Sequence, residues 1–365
     1  MDVDSDSNVS STGLLRSVID SLDLSSVEID KITELFESHH EELNELFSLH
    51  FYQVLDAEKD DLMSEHYEVL GAFRERLFET WKTPLIRLNS LLYMCMEIVD
   101  ELRQEKTNFP PIHTNKFNIA TRLQARCVQI GNEISHLLHG GYADGAFARW
   151  RTLHETSATT KFICEGDEDL ASRFLDFQNI SRLKAAKKYN DNNELEFVPI
   201  PTEQLVQFEN EKTKILNKYE PHFEQEFGWA RKALGNTVAP KGNLRFTDLE
   251  KFVGLSFLRN HFSFANQYIH AGIDSIGYKL GTSMSKKDIL LTGPSNEGLI
   301  EPIQCTSLSL IHATAALLKA YPNDDSPIKI SVLWLWHEVL KQEVDEADAA
   351  LQVKGDACSQ QNEGC

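Results

Sequence analysis

No two of the six cysteines (Cys95, Cys127, Cys164, Cys305, Cys358 and Cys365) form a C-x-x-C pair. Zinc ribbons and thioredoxin-type redox motifs, which need that spacing, are thereby excluded. Four of the six sit in apolar helical runs, where a free cysteine packs as a small hydrophobe. There is no Walker A loop, no G-x-G-x-x-G after a strand and no G-x-S-x-G elbow, so the common nucleotide-binding and serine-hydrolase signatures are absent. No apolar run is long enough to span a membrane, and no repeat of solenoid period is visible. Positive charge is scarce: 36 Lys and Arg stand against 56 Asp and Glu, a formal net charge of -20. That argues against non-specific binding to DNA or anionic membranes while leaving room for a local basic groove. The start, Met-Asp-Val-Asp-Ser-Asp, is acidic and polar rather than a signal peptide. The expected setting is a reducing cytoplasm, with no membrane partner.

What the chain does have is helical periodicity. Its 365 residues are 41% hydrophobic and 25% charged, enough to bury a core. Residues 1–11 read as a disordered Asp/Ser-rich start. Residues 12–108 read as an acidic N-terminal helical segment: a helix near Gly13–Leu22, then a long one from Ile29 to Leu55 after a Ser25-Ser26/Glu28 cap, then Leu62–Trp81, then Pro84 to Lys106 with proline in the first turn. Asn108-Phe109-Pro110-Pro111 breaks the pattern. A core domain is expected over 112–353, followed by a disordered tail, 354–365. Within the core, helices are expected over Asn115–Leu138 (closed by Gly140-Gly141), Asp144–Cys164, Glu168–Asn190, Thr202–Lys218, Pro221–Leu234, Gly254–Lys279, Ser307–Ala320 and Ile328–Val353. One short strand could occupy Leu195–Val198. The fold class is all-α, a multi-helix bundle.

The densest concentration of groups that are costly to bury is Ala148-Arg149-Trp150-Arg151-Thr152-Leu153-His154-Glu155. On a helix, Arg151 shares a face with both His154 and Glu155, whereas Arg149 points away from His154. Small residues around them let neighbouring helices approach closely, so these charges need internal partners. A partner segment is Phe257 to Gly272, apolar and aromatic yet carrying Arg259, Asn260, His261, Asn266 and His270. Two readings follow: a register-fixing buried network, or a site. As a site, Arg149, His154 and His270 are the candidate catalytic groups, and Arg151, Glu155, Asn260 and His261 the candidate binding groups. No metal and no cofactor is expected among them.

Gly141-Tyr142 through the A-R-W-R-x-L-x-E run ending at Glu155, followed by Tyr268-Ile269-His270-Ala271, resembles a widespread, mainly bacterial helical family of unknown function. That family carries an arginine-rich G-x-A-x-A-R-W-R-x-L-x-E helix and a later Y-x-x-H-A segment. The likeness spans roughly residues 115–280 and implies a fold and a site location rather than a reaction.

Three functions remain open. Arg149 and His154, with four residues between them, resemble the R-x(4–6)-H element of HEPN-type metal-independent ribonucleases. There histidine would shuttle the 2′-hydroxyl proton and arginine would stabilise the phosphorane. The usual polar residue after the arginine is replaced by Trp150. Arg173, Arg182, Lys184, Lys187 and Lys188, beside Tyr189, offer phosphate contacts for RNA. A second reading is a non-catalytic interaction or scaffold protein, docking a protein partner through its acidic N-terminal helices or pairing as a homodimer. A third is a di-iron carboxylate bundle, from Glu37-x-x-His40 and Glu133-x-x-His136, spacings that put two ligands on one helix face.

Overall fold

The computed structural model describes residues 40–107, 114–192, 194–237, 242–284 and 289–362. The expected start, the first helix, the Ser25-Ser26 cap, Glu37 and the Pro110-Pro111 break lie outside them. Among the described residues there is helix and no strand. The fold is all-α, as the periodicity requires. The helices are α1 His40–Thr107, α2 Asn115–His139, α3 Ala143–Glu165, α4 Glu168–Asp191, α5 Thr202–Lys218, α6 Arg231–Leu234, α7 Phe246–Phe252, α8 Arg259–Ala265, α9 Asp274–Gly277, α10 Ile300–Ala320 and α11 Ser326–Asn362.

The chain divides into two compact units, residues 1–72 and 73–365. In the first, the described part is helical and exposes Leu49, Tyr52, Leu55, Leu62, Tyr67 and Val69. The division falls well before the expected break at Asn108–Pro111. The reason is packing: Leu77, Trp81, Leu85, Leu88, Leu91, Cys95 and Leu102 of α1 are buried in the core of the second unit. Pro84 also differs from expectation. It lies inside a continuous helix rather than opening a new one. A proline removes only one backbone donor, and a side chain buried against a core can offset that loss.

In the second unit α3 is the central helix, packed between α2 and α10. Ala146, Phe147, Trp150, Leu153, Ser157 and Ala158 are all inaccessible to solvent. Polar atoms set the register. Trp150 Nε1 donates to Cys305 O at 2.9 Å and to Ser309 Oγ at 3.0 Å, and Ser157 Oγ donates to Ser309 O at 2.7 Å. Each bond is satisfied only in one axial alignment of α3 against α10, which is how a buried polar group specifies register. The turn entering α3 requires glycine at 141: φ is +78°, and an added Cβ would lie 2.8 Å from both the Phe73 ring and Ser295 O.

Three expected elements resolve differently. Pro221–Leu234 is not one helix but a run of turns, a 3₁₀ turn over Gly228–Ala230 and the four-residue α6. Gly254–Lys279 is not one helix but a 3₁₀ turn, the short α8, another 3₁₀ turn and α9. Its aromatic side chains pack on three sides rather than along one stripe: Phe257 against His312, Phe262 against His154, Phe264 against Tyr278. Leu195–Val198 is not a strand; Leu195 and Val198 are 76% and 87% exposed. At the other end α11 continues to Asn362, past Lys354.

Replacing Trp150 with Phe leaves two acceptors without their donor and a gap beside Phe147. Urea denaturation is expected to show a loss of about 1–3 kcal/mol. Burial also pushes the His312 imidazole on α10 from 6.5 down to about 4. A depressed histidine stabilises the fold above its unfolded pKa, and that contribution is lost as pH falls from 6.5 towards 4. The loss should approach roughly 3 kcal/mol near pH 4, and the slope in this window should flatten in His312→Phe.

Candidate functional site

Four positions on α3 separate its roles. Arg149 and His154 lie about 140° apart around the helix. The Arg149 Nε is bonded to Glu133 on α2, and Arg126 reaches the same carboxylate at 3.8 Å. His154 is completely buried on the other side. The two residues expected to act together are therefore not brought together. Of the other candidates, Asn260, His261 and His270 are exposed, apart from His154. They fall on the outward side of the broken 254–279 segment, which the single-helix reading had turned inward.

The partner of His154 is Glu250 on α7. Its Oε1 lies 2.8 Å from His154 Nε2, and the residue is 1% exposed. A carboxylate only accepts, so Nε2 carries the hydrogen. The Arg259 Nε donates to the other oxygen, Oε2, at 2.6 Å. Glu250 is thus a buried carboxylate held at both oxygens, by α3 on one side and α8 on the other. Aromatic rings surround it. His154 faces Phe246 and Phe262 with centroids 5.8 and 5.7 Å away. The Arg259 guanidinium lies 4.8 Å from the Phe262 ring centre.

Phe262 carries the arrangement outward. Its ring is also covered by the Arg151 guanidinium at 4.6 Å. Arg151 in turn reaches Glu155, one turn along, with Nη2 to Oε1 at 3.3 Å. Arg151, Glu155 and Thr159 recur every four residues and form one wall of a cleft of about 550 Å³. That lies within the range of small-molecule sites, roughly 300–1,000 Å³. Phe174 and Phe177 of α4, Phe227 and Trp229 of the following turn, and Arg245 and Phe246 at the start of α7 complete it, with Glu226 at the rim. Burial pushes the Glu155 carboxyl up, against the opposing pull of Arg151. Phe227 has a left-handed backbone, φ 58°. A bulky residue is rarely held there, and such strain tends to gather at binding sites.

Arrays of the kind expected for RNA and for metal look different in three dimensions. Arg173 is buried, bonded to Glu220 at 2.5 Å and stacked 4.7 Å from Tyr219. Lys187 pairs with Glu209 at 2.6 Å, whereas Arg182, Lys184 and Lys188 are exposed. Glu133 is occupied by two arginines, and His136 is exposed. Among the described residues no three His, Cys, Asp or Glu side chains converge as metal ligands.

The residues that sequence reasoning passed over are Glu250, Arg245, Glu226 and the five cleft aromatics, Phe174, Phe177, Phe227, Trp229 and Phe246. Only Glu250 carried a signal: it stands between Leu249 and the apolar Phe252-Val253, where an acid on a buried face needs a partner.

With this geometry in hand, comparison with known proteins adds one result. Residues 117–288 match the model of a family of unknown function, DUF5677. The match begins at α2, contains α3, α7 and the whole cleft lining, and covers just under half of the chain. No curated protein and no solved structure matches.

Removing Glu250 leaves His154 and Arg259 without their common acceptor. Glu250→Ala is expected to cost about 3–5 kcal/mol in chemical denaturation. Arg149→Ala, which loosens a partly exposed pair, should cost under about 1 kcal/mol.

Proposed function

We propose that this protein acts on RNA by binding it, and that the cleft beside α3 receives one nucleotide unit of a single strand. The carrying observation is the joining of two arginines, Arg151 and Arg245, with five aromatic side chains in one cleft of nucleotide scale. Aromatic faces hold unstacked bases with little regard to sequence, and guanidinium groups meet the phosphate. Arg245 is exposed and makes no ion pair with a described residue, so its charge is available to a ligand. Arg151 is already held in place by Phe262 and Glu155, so little freedom is lost when it binds.

Strand cleavage by Arg149 and His154 draws no support from their positions, one on Glu133 and the other on Glu250. Recognition is therefore the reading that the geometry favours over hydrolysis. The four ionisable groups lining the cleft are two arginines and two glutamates. Affinity then comes mainly from stacking, which suits a chain with a formal net charge of -20.

The test is fluorescence anisotropy with short single-stranded RNA, duplex RNA and mononucleotides. Single strands should bind, and Arg245→Ala and Phe227→Ala should each weaken binding about tenfold, in keeping with about 1–3 kcal/mol per stacked base. Arg149→Ala should have no effect. A plot of log affinity against log salt should be shallow, with a slope no steeper than about -2 for one or two phosphate contacts. Equal binding by wild type and the cleft variants overturns the proposal. RNA shortened by wild type but not by Arg149→Ala would assign the ribonuclease reading instead.

A further inference from the structure

This inference rests on the nucleotide reading of the cleft and concerns which base it takes. Glu155 is the cleft's only acidic group on the long α3. Its Oε1 lies 3.3 Å from Arg151 Nη2, its side chain is 40% exposed, and among the described residues Oε2 has no ion-pair partner. Arg151 fixes the carboxylate from one side and is itself fixed by the Phe262 ring at 4.6 Å. The result is an acceptor pair held at a set position between aromatic walls, with one oxygen outside any ion pair among the described residues.

We propose that Glu155 selects guanine, its two oxygens accepting hydrogen bonds from N1–H and the N2 amino group of the base. The chemistry is specific. A carboxylate offers acceptors only, and two adjacent donors on one edge match it in a bidentate pair. At neutral pH guanine presents N1–H and N2–H side by side. Adenine and cytosine each place a ring acceptor beside the amino group, where it would face the carboxylate lone pairs. Uracil places carbonyl oxygens on both sides of its single N–H. Stacking is shared by all four bases, so the discrimination lies in this edge contact.

Glu226, on the rim, is the competing carboxylate. It is exposed, precedes the left-handed Phe227 and is held by no ion pair among the described residues. An acceptor free to turn discriminates poorly, which is why the assignment goes to Glu155. The half-buried state of Glu155 favours the same choice. Burial already pushes its carboxyl up, and a pair of donors that meets both oxygens offsets that partial desolvation. Replacement by glutamine removes that penalty and preserves shape, so Glu155→Gln should fold.

The experiment is isothermal titration of the full chain with GMP, IMP, AMP, CMP and UMP, using wild type, Glu155→Gln and Glu226→Gln, with thermal melts run in parallel. GMP should bind about tenfold or more tighter than AMP, CMP or UMP. IMP, which keeps N1–H and lacks the N2 amino group, should lie between. Glu155→Gln should remove the preference for GMP while leaving AMP binding within about twofold, and Glu226→Gln should keep it. If all nucleotides bind alike, guanine selection by Glu155 fails and the nucleotide cleft stands. If the preference vanishes in Glu226→Gln and survives in Glu155→Gln, the selecting residue is the other one and this inference fails. If neither nucleotides nor single-stranded RNA bind the folded wild type, both this inference and the function on which it rests fail.

Discussion

A carboxylate with 1% exposure organises this molecule. Removing an ion from water costs several kcal/mol after relaxation, and Glu250 can stay buried only because both of its oxygens are occupied, by His154 and by Arg259. The partners come from α3 and α8, ninety-six and nine residues away in sequence. Their demand for a common acceptor ties three elements together at one point. It also explains the run of aromatic rings around that point: they exclude water, and the guanidinium of Arg259 lies on their faces.

The buried carboxylate and the open cleft are parts of one arrangement. Arg259 and Arg151 lie against the same Phe262 ring, one held by Glu250 and the other reaching Glu155. Phe246 borders both the His154 ring and the cleft. The deep pair therefore helps to keep the cleft wall in place. The buried network that the sequence suggests is present, and the cleft proposed to bind a nucleotide lies at its outer edge.

The polar positions of α3 divide accordingly. Its buried face is set by Trp150 and Ser157, both bonded to α10, and by His154, bonded to Glu250 on α7. Arg149 belongs to the α2 side, where Glu133 neutralises it. Arg151 and Glu155 face the cleft. The nine residues from Arg149 to Ser157 thus serve three surroundings, as a helix of 3.6 residues per turn requires when it is enclosed on most sides.

Much of the fold follows from the sequence by itself. The apolar period places α2, α4 and α5 within a residue or two, and Thr202–Lys218 appears with the limits its pattern implies. The density of Arg, His, Glu and Trp around 149–155 marks the central helix, because such groups cluster only where partners await them. Helical geometry alone also separates Arg149 from His154. What the sequence leaves undecided depends on contacts between distant segments. Pro84 reads as a helix start because local propensity ignores the core that holds both sides of it together. Gly254–Lys279 reads as one helix because its aromatics are dense, and only packing in three directions breaks it. Asn260, His261 and His270 are exposed for the same reason. Glu250 and Arg245 acquire their roles from the fold alone: whether a carboxylate is solvated or buried against a histidine is set by which helix comes to lie beside it, and no local pattern encodes that neighbour.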